Sequence, residues 1–260
     1  MSRLNQGALV PNPCVKYLQW KNITEEKIID GEKVEIPKGG AFSYYDKETK
    51  TNILVKMPLK FAIIDPDLVT FKGFDEVEKR GLYSNEVRNQ DQVVNLRSKD
   101  EKVLSFKLSD YKKHKDFLKG VGVKYTRSIY IAVEIKGEWE IWNLQLNGSS
   151  FTGGNDMDVK NPDEENDGWI AFTNNMAKGK MYSNFFKITG FKNKKKGKIK
   201  FSIPVFEVDE KIDTEVGGKL DELNETLNKY FKYYFSPKDT IVDKKETSYE
   251  EELPFDKDMY

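Results

Sequence analysis

Apolar and polar residues alternate with a period of two along much of this chain, most clearly near its middle. Between residues 129 and 135 isoleucine or valine occupies every second position, and a turn follows at Lys136-Gly137. This alternation predicts a strand with one face against a core, and the turn predicts a hairpin whose second strand begins at Glu138. In that second strand the apolar positions change parity between Ile141 and Trp142, which predicts a β-bulge there.

The same alternation, interrupted by turn residues, predicts further strands on both sides of this hairpin. The predicted strands cover residues 40–46, 53–57, 59–64, 68–73, 93–97, 102–108, 185–191 and 198–208. A turn at Asp65-Pro66-Asp67 separates the third of these strands from the fourth. Many short strands at this spacing predict a mainly β fold, arranged as a barrel or a sandwich.

Strong helical periodicity occurs once, late in the sequence. Leu220, Leu223 and Leu227 recur at intervals of three and four, after a Gly-Gly pair and before Ser236-Pro237. This spacing predicts an amphipathic helix over residues 219–235. Such a helix can cap a barrel or take part in dimerisation.

The charges divide the chain into a body and a tail. All 260 residues together carry 43 Lys plus Arg and 43 Asp plus Glu. Residues 239–260 hold eight acids and three lysines, so this segment has a net charge of −5 and residues 1–238 carry +5. The composition predicts a disordered acidic tail on a folded basic body that favours anionic partners. Within the body, residues 153–168 lack periodicity and are predicted to form a long surface loop.

Composition argues against several classes of protein. The chain is 33% charged, and it contains neither twenty consecutive apolar residues nor an apolar leader-like start. These features predict a cytoplasmic protein, in the host cell if phage-encoded, with no membrane partner. A single cysteine, Cys14, excludes an internal disulfide and a Cys-based zinc cluster, and with a single histidine, His114, we expect no mechanism that needs paired histidines or a Cys-His dyad. We expect neither a cofactor nor a bound metal.

Motifs of known enzymes fail in this sequence. Residues 216–220 contain the Gly-Lys pair of a phosphate-binding loop, but Leu220 stands where that loop requires Ser or Thr. The acidic segment that begins at Asp156 has no glycine at the sixth position of a calcium loop. Asp65 and Asp67 fit a turn better than a Mg²⁺ site. The sequence therefore predicts no catalytic residues, and a metal-dependent nuclease is the weakest of the alternatives.

Basic residues and aromatic rings lie close together in sequence, a pattern that favours nucleic-acid binding. Lysines concentrate at residues 112–127 and 187–200, where they suit phosphate contacts. Exposed rings among lysines suit a single strand, because each base can stack on a ring for about 1–3 kcal/mol. Burial in the core is the alternative for each ring. The candidate binding residues are Tyr44, Tyr45, Lys47, Tyr83, Arg88, Lys112, Lys113, Lys115, Lys124, Arg127, Tyr130, Trp139, Trp142, Lys187, Lys192, Lys194, Lys195, Lys196 and Lys198.

The tail carries a short resemblance to a known family. Its acidic and apolar residues run in the order Glu250, Glu251, Glu252, Leu253, Pro254 and Phe255. This segment resembles the acidic tail of bacterial single-stranded DNA-binding proteins, which ends in Ile-Pro-Phe, although five residues follow Phe255 here. The resemblance implies that these six residues recruit replication or recombination proteins and that the tail competes with DNA for its groove.

A second resemblance spans roughly residues 35–210 and rests on the order of several segments. They are Gly40-Ala-Phe-Ser-Tyr-Tyr-Asp46, Gly81-Leu-Tyr-Ser-Asn-Glu-Val87, Arg127-Ser-Ile-Tyr-Ile-Ala132, Trp142-Asn-Leu-Gln-Leu-Asn-Gly148 and Ile203-Pro-Val-Phe206. In this order the chain is similar to a group of phage-encoded single-stranded DNA-binding replication proteins. The resemblance implies an oligonucleotide-binding (OB-fold-like) barrel, here with extra strands and one C-terminal amphipathic helix.

These features together predict a non-enzymatic protein that coats and protects single-stranded DNA in phage DNA replication, recombination and repair. Lysines would follow the phosphates and rings would stack on the bases. The expected partners are single-stranded DNA and, through the tail, replication or recombination proteins; self-association is left open. The alternative is a structural or interaction protein of a phage virion, whose β-rich body packs against other subunits.

Overall fold

The computed structural model describes residues 10–29, 32–154, 168–197 and 199–236 of the chain. Extended backbone dominates, so the predicted mainly β class is confirmed. The strands are β1 (Cys14–Ile29), β2 (Glu32–Asp46), β3 (Thr51–Leu54), β4 (Leu59–Asp75), β5 (Arg80–Ser84), β6 (Val93–Arg97), β7 (Lys102–Lys107), β8 (Val123–Ile135), β9 (Glu138–Asn147), β10 (Asn184–Lys196) and β11 (Ile199–Lys211). The helices are α1 (Tyr111–Gly120), α2 (Gly148–Thr152), α3 (Gly168–Asn175) and α4 (Thr214–Tyr234). The sequence pattern did not predict β1, β5 or the first three helices.

The strands form one mixed sheet that branches at β4. Its main path has the order β3-β2-β1-β9-β8-β4-β5-β6-β7, and the β10–β11 hairpin pairs with β4. β1 and β9 are parallel, whereas the neighbouring pairs β1–β2 and β8–β9 are antiparallel. The hairpin also contacts the β1–β2 region through side chains. The backbone N–H of Ser202 donates to Asn22 Oδ1 (2.8 Å), and the Trp20 indole donates to the Ser202 carbonyl (3.0 Å).

β4 is a single long strand, and the turn predicted at Asp65-Pro66-Asp67 is wrong. These residues lie within the strand, where its pairing with β8 shifts register on both sides of Asp65. The Asp67 N–H donates to the Asp65 carboxylate (3.1 Å), so a local Asx-type bend accompanies the irregular pairing. The irregularity divides β4 into a first half that pairs with β10 and a second half that pairs with β5.

The β8–β9 hairpin is regular, and the bulge predicted in its second strand is also wrong. Its register runs without a shift from the pair Thr126–Asn147 to the pair Ile135–Glu138. The register shift near Ile141 and Trp142 belongs instead to the β1–β9 pairing, where β1 contributes the extra residue, Val15. The change of apolar parity reflects burial of both faces of β9, first by α4 and then by the principal core.

The principal core lies between the central strands and the β10–β11 hairpin. Phe61, Phe186 and Phe206 meet there, and α3 contributes Trp169 and Phe172. The ring of Trp169 packs edge-on against Phe206 with centroids 5.1 Å apart. A second core surrounds Phe71 between the end of β4, the strands β5 to β7 and α1. The two clusters lie on the same side of the sheet and leave its other side to α4 and to polar residues.

The predicted C-terminal amphipathic helix is confirmed as α4, which begins five residues before the predicted start. The Asp213 side chain caps its N-terminus by accepting from the Val216 N–H (2.8 Å). Leu227 and Phe231 are buried against the sheet, and the ring of Phe231 packs on Tyr130 at 5.2 Å. The helix therefore covers the apolar end of the face opposite the principal core.

Several expectations concern residues outside the described ranges. They include most of the predicted loop at 153–168, the residue Lys198 and the acidic tail at 239–260. Among the described helices, none combines the length and the apolar composition required to cross a bilayer.

Candidate nucleic-acid interface

A polar surface lies beside α4, on the side of the sheet opposite the principal core. Directly paired residues point to the same side of a sheet, so the register assigns side chains to faces. We call this surface the polar face. Its residues are Tyr17, Gln19, Lys21, Ser43, Tyr45, Thr70, Lys72, Tyr83, Arg97, Lys124, Thr126, Ser128, Asn143, Gln145 and Asn147.

Side chains alternate between the two sides of each strand, and this alternation places the polar residues together on one side of the sheet. On β9, Leu144 and Leu146 enter the principal core, while Asn143 and Gln145 point to the opposite side. The shorter polar side chains form a buried floor, and Asn143 is fully buried. Longer side chains at the rim are half-buried or exposed, so the face is accessible at its edges.

Hydrogen bonds connect the floor across neighbouring strands. Gln145 Oε1 accepts from Gln19 Nε2 on β1 and from Lys72 Nζ on β4, both at 3.1 Å. Asn143 Nδ2 donates to Ser128 Oγ at 2.7 Å, and Ser128 donates in turn to the Glu86 carboxylate. The floor is therefore an ordered polar network and not a solvated surface.

Two charged groups within this network have shifted pKa values. Lys72 is 6% exposed, and burial lowers the pKa of its ammonium to about 8, partly opposed by the charge of Glu86. Burial raises the pKa of Glu86, while hydrogen bonds from Ser128 and Tyr130 and the charge of Lys72 act in the opposite direction. Desolvation is thus the dominant effect on both groups.

Three tyrosines stand at intervals across the polar face. Tyr45 on β2, Tyr17 on β1 and Tyr83 on β5 are each half-buried. The Tyr17 ring lies 5.5 Å from Lys72 Nζ, and the guanidinium of Arg97 lies 5.1 Å from the Tyr83 ring. Half-buried aromatic rings with cations beside them are typical of surfaces on which nucleic-acid bases stack.

The polar face includes few of the residues predicted to bind nucleic acid. Tyr45, Tyr83 and Lys124 lie on it. The sequence reasoning missed Tyr17, Lys21, Lys72 and Arg97 together with the glutamines. For Tyr17 and Lys21 the signal is the alternation Tyr17, Gln19, Lys21 on β1, in which Tyr17 and Gln19 pair with the polar residues Asn143 and Gln145 of β9.

Two predicted stacking residues are corrected because their rings are buried. Tyr130 is 1% exposed under α4, with its hydroxyl donating to Glu86 at 2.8 Å. Trp142 is 4% exposed in the principal core. Neither ring can present a face to a base in this conformation. Tyr44, also predicted, is half-buried on the principal-core side, where Lys16 lies 5.3 Å from its ring.

Several side chains predicted to bind nucleic acid interact with other residues of the protein. Trp139 is half-buried and stacks on Phe185 with centroids 5.9 Å apart. Arg88 pairs with Asp65 and lies over rings of α4, and Arg127 pairs with Asp67 at 2.9 Å. Lysines 113 and 187 also form ion pairs, with Asp110 (2.6 Å) and Asp209 (2.8 Å). Exposed pairs of this kind contribute about 0–1 kcal/mol, so the cations can exchange partners.

The other predicted lysines among the described residues lie outside the strands of the polar face. Lys112 and Lys115 are exposed on α1, and Lys47 is exposed in the turn after β2. A further group, at the end of the β10–β11 hairpin, consists of Lys192, Lys194, Lys195 and Lys196. The structure therefore distributes the predicted phosphate contacts over three separate regions.

Asp65 and Asp67, which were considered for a metal, do not form such a site. Asp65 and Asp67 each pair with an arginine, which supplies the positive charge that a cation would bring. Within the described ranges no cluster of three or more His, Cys, Asp or Glu residues is suited to hold a metal ion. The segment that begins at Asp156 lies outside those ranges.

Comparison with protein-family models, with curated proteins and with solved structures finds no significant match to this chain.

Proposed function

We propose that this protein is a non-enzymatic single-stranded DNA-binding protein whose polar face holds the strand. It would coat and protect single-stranded DNA during phage DNA replication, recombination and repair, in the cytoplasm of the host cell. The observation that carries this proposal is the presence of Tyr17, Tyr45 and Tyr83 on one face with Lys21 and Lys124. That combination supplies both stacking and phosphate contacts.

The dimensions of the face suit a single strand. Tyr45 on β2 and Tyr83 on β5 are separated by five strand-to-strand steps along the sheet. At the usual spacing of neighbouring strands this separation is about 24 Å. Such a length accommodates several nucleotides, in keeping with the roughly 4–16 nucleotides bound per OB fold.

The charge of the face also favours a polyanion. Lys21, Lys124 and Arg97 are half-buried or exposed at the rim. The carboxylate nearest the floor, Glu86, already accepts hydrogen bonds from Ser128 and Tyr130. The rim cations are therefore available to follow the phosphates, whose neutralisation releases counterions and drives binding.

We further propose that the strands around the principal core correspond to an OB-like barrel with additional strands. The contacts of Ser202 with Asn22 and Trp20 support this, because they join the β10–β11 hairpin to the opposite end of the sheet. The tail residues Glu250 to Phe255 would then recruit replication or recombination proteins, as the resemblance to the bacterial family implies.

A salt titration of oligonucleotide binding tests the proposed function. Fluorescence anisotropy of a labelled dT oligonucleotide should give an affinity that falls with salt, with a log-log slope near −0.7 for each phosphate contact. Affinity that is unchanged between about 50 and 200 mM salt, or stronger binding to a duplex, would contradict the proposal. A virion subunit is expected to give that negative result.

A further inference from the structure

The buried ammonium of Lys72 has more donors than the protein uses. An ammonium carries three N–H donors. Among the described contacts, Lys72 Nζ donates one hydrogen bond, to Gln145 Oε1 at 3.1 Å. The side chain is 6% exposed, so bulk water cannot easily supply the missing acceptors. A buried donor without an acceptor is costly, and this arrangement therefore indicates a place for a ligand atom.

The surroundings of Lys72 favour a neutral acceptor over an anion. The Glu86 carboxylate is close enough to raise the Lys72 pKa against the effect of burial. That same carboxylate would repel a phosphate placed beside the ammonium. A phosphate would also lose its hydration on the floor, whereas a carbonyl oxygen loses far less. The matching ligand atom is an uncharged, hydrogen-bond-accepting oxygen.

The neighbouring side chains indicate that this oxygen belongs to a base. The Tyr17 ring lies 5.5 Å from Lys72 Nζ, so a base stacked on that ring brings its edge towards the floor. The side-chain oxygen of Gln145 accepts hydrogen bonds from Gln19 and Lys72. The two amide N–H donors of Gln145 have no partner among the described contacts. The edge of the base would therefore meet a group of donors.

We propose that Lys72 and Gln145, beside Tyr17, form a nucleobase subsite that selects keto bases over adenine. The proposal rests on the proposed binding of single-stranded DNA to the polar face. Thymine carries two carbonyl oxygens, and guanine offers O6 and N7. Adenine also has the acceptor N7, but it has an amino group where guanine has its carbonyl oxygen, so a donor would face the donors of Lys72 and Gln145 and leave at least one of them unpaired.

Base preference in a matched pair of variants tests this subsite. Affinities are measured for dT, dA and abasic oligonucleotides of equal length, with wild type, Lys72→Met and Lys124→Met. Lys124 is the direct cross-strand partner of Lys72 on the same face, but it is exposed. We expect wild type to prefer dT over dA by about tenfold, the equivalent of one buried hydrogen bond.

The two variants should then differ in whether they lose base preference or overall affinity. Lys72→Met should remove most of the preference for dT, whereas Lys124→Met should weaken binding to all three oligonucleotides equally. A dT preference that is unchanged in Lys72→Met would overturn the proposal. So would an equal loss of affinity for dT and for the abasic oligonucleotide in that variant, because this result assigns Lys72 to a phosphate.

A change in the DNA provides a test that does not depend on the folding of a variant. Difluorotoluene keeps the shape of thymine and lacks its carbonyl oxygens. Wild type should bind a difluorotoluene oligonucleotide about tenfold more weakly than dT, and equal affinities would overturn the subsite. Failure of the proposed function itself would look different, since wild type would then bind none of these oligonucleotides.

Discussion

The phenol oxygen of Tyr234 accepts a hydrogen bond from the backbone N–H of Glu86 at 2.8 Å. Tyr234 is the last residue of α4, and the Glu86 carboxylate accepts hydrogen bonds from Ser128 and Tyr130 of β8. This contact fixes the end of the helix at the border of the polar face. The helix thus covers the apolar end of that side of the sheet and leaves the polar part for a ligand.

If α4 is an integral part of the fold, Leu227→Ala should destabilise the protein strongly. Leu227 is fully buried between the helix and the sheet. A Leu→Ala change in a core costs about 2–5 kcal/mol, because it removes apolar contacts and leaves a cavity. Urea unfolding measures this loss, with the exposed residue Lys229→Ala as a control that should change little. A loss below about 0.5 kcal/mol for Leu227→Ala would show that the helix is not packed as described.

Removal of a ring from the polar face should weaken DNA binding without unfolding the protein. Tyr45→Ala and Tyr83→Ala should each cost about 1–3 kcal/mol in binding free energy if bases stack on these rings. Tyr233→Ala is the matched control, because that ring is 38% exposed but lies on α4. Fluorescence titration with a dT oligonucleotide provides the comparison. The stacking assignment fails if the control loses as much affinity as the two variants.

The central strands could be predicted from the sequence because large apolar residues of the principal core occupy every second position along them. The region around Ile131 is the clearest case, since its residues alternate between the principal core and the face under α4. The same logic failed at Pro66, because an Asp-Pro-Asp sequence predicts a turn when read locally. Pairing with β8 before, at and after Asp65 holds these residues within one strand.

The candidate site was predicted less well than the fold, for a physical reason. An aromatic residue in a strand can point to either face, and local sequence does not say which face is covered. Tyr130 illustrates this, because it shares the polar side of β8 with Ser128 but lies under α4. Lys72 was missed because a lone lysine in an apolar strand carries no sign of the glutamines that face it from β1 and β9.

The buried ammonium of Lys72 predicts a specific dependence of stability on pH. Its pKa is about 8 in the folded protein and 10.5 as an ordinary lysine. Between these values the unfolded chain binds the proton more tightly, so this group makes the free energy of unfolding rise with pH. The full effect is about 3 kcal/mol.

A comparison of variants isolates this effect from other titrating groups. The difference in unfolding free energy between wild type and Lys72→Met should shift in favour of wild type as the pH rises from about 8 to 10.5. Lys229→Met, which removes an exposed lysine of α4, should follow wild type across this range. A constant difference between wild type and Lys72→Met would show that the ammonium is not desolvated.

Deletion of residues 239–260 should tighten DNA binding. The deleted segment has a net charge of −5 and the rest of the chain +5, so the tail is expected to compete with DNA for the basic surface. Screening weakens this competition, and the gain in affinity should therefore be larger at low salt than at high salt. Anisotropy titrations of full-length and truncated protein measure the gain. Weaker binding by a monodisperse truncated protein would argue against competition by the tail.

The most direct test of binding to the polar face is to locate the bound strand by photocrosslinking. A 5-iodouracil oligonucleotide is crosslinked to the full-length protein, and the attached residues are identified by mass spectrometry. Binding to the polar face should give crosslinks at Tyr17, Tyr45 or Tyr83 that excess unlabelled dT removes. Crosslinks confined to exposed rings elsewhere, such as Tyr182 and Tyr233, would contradict it.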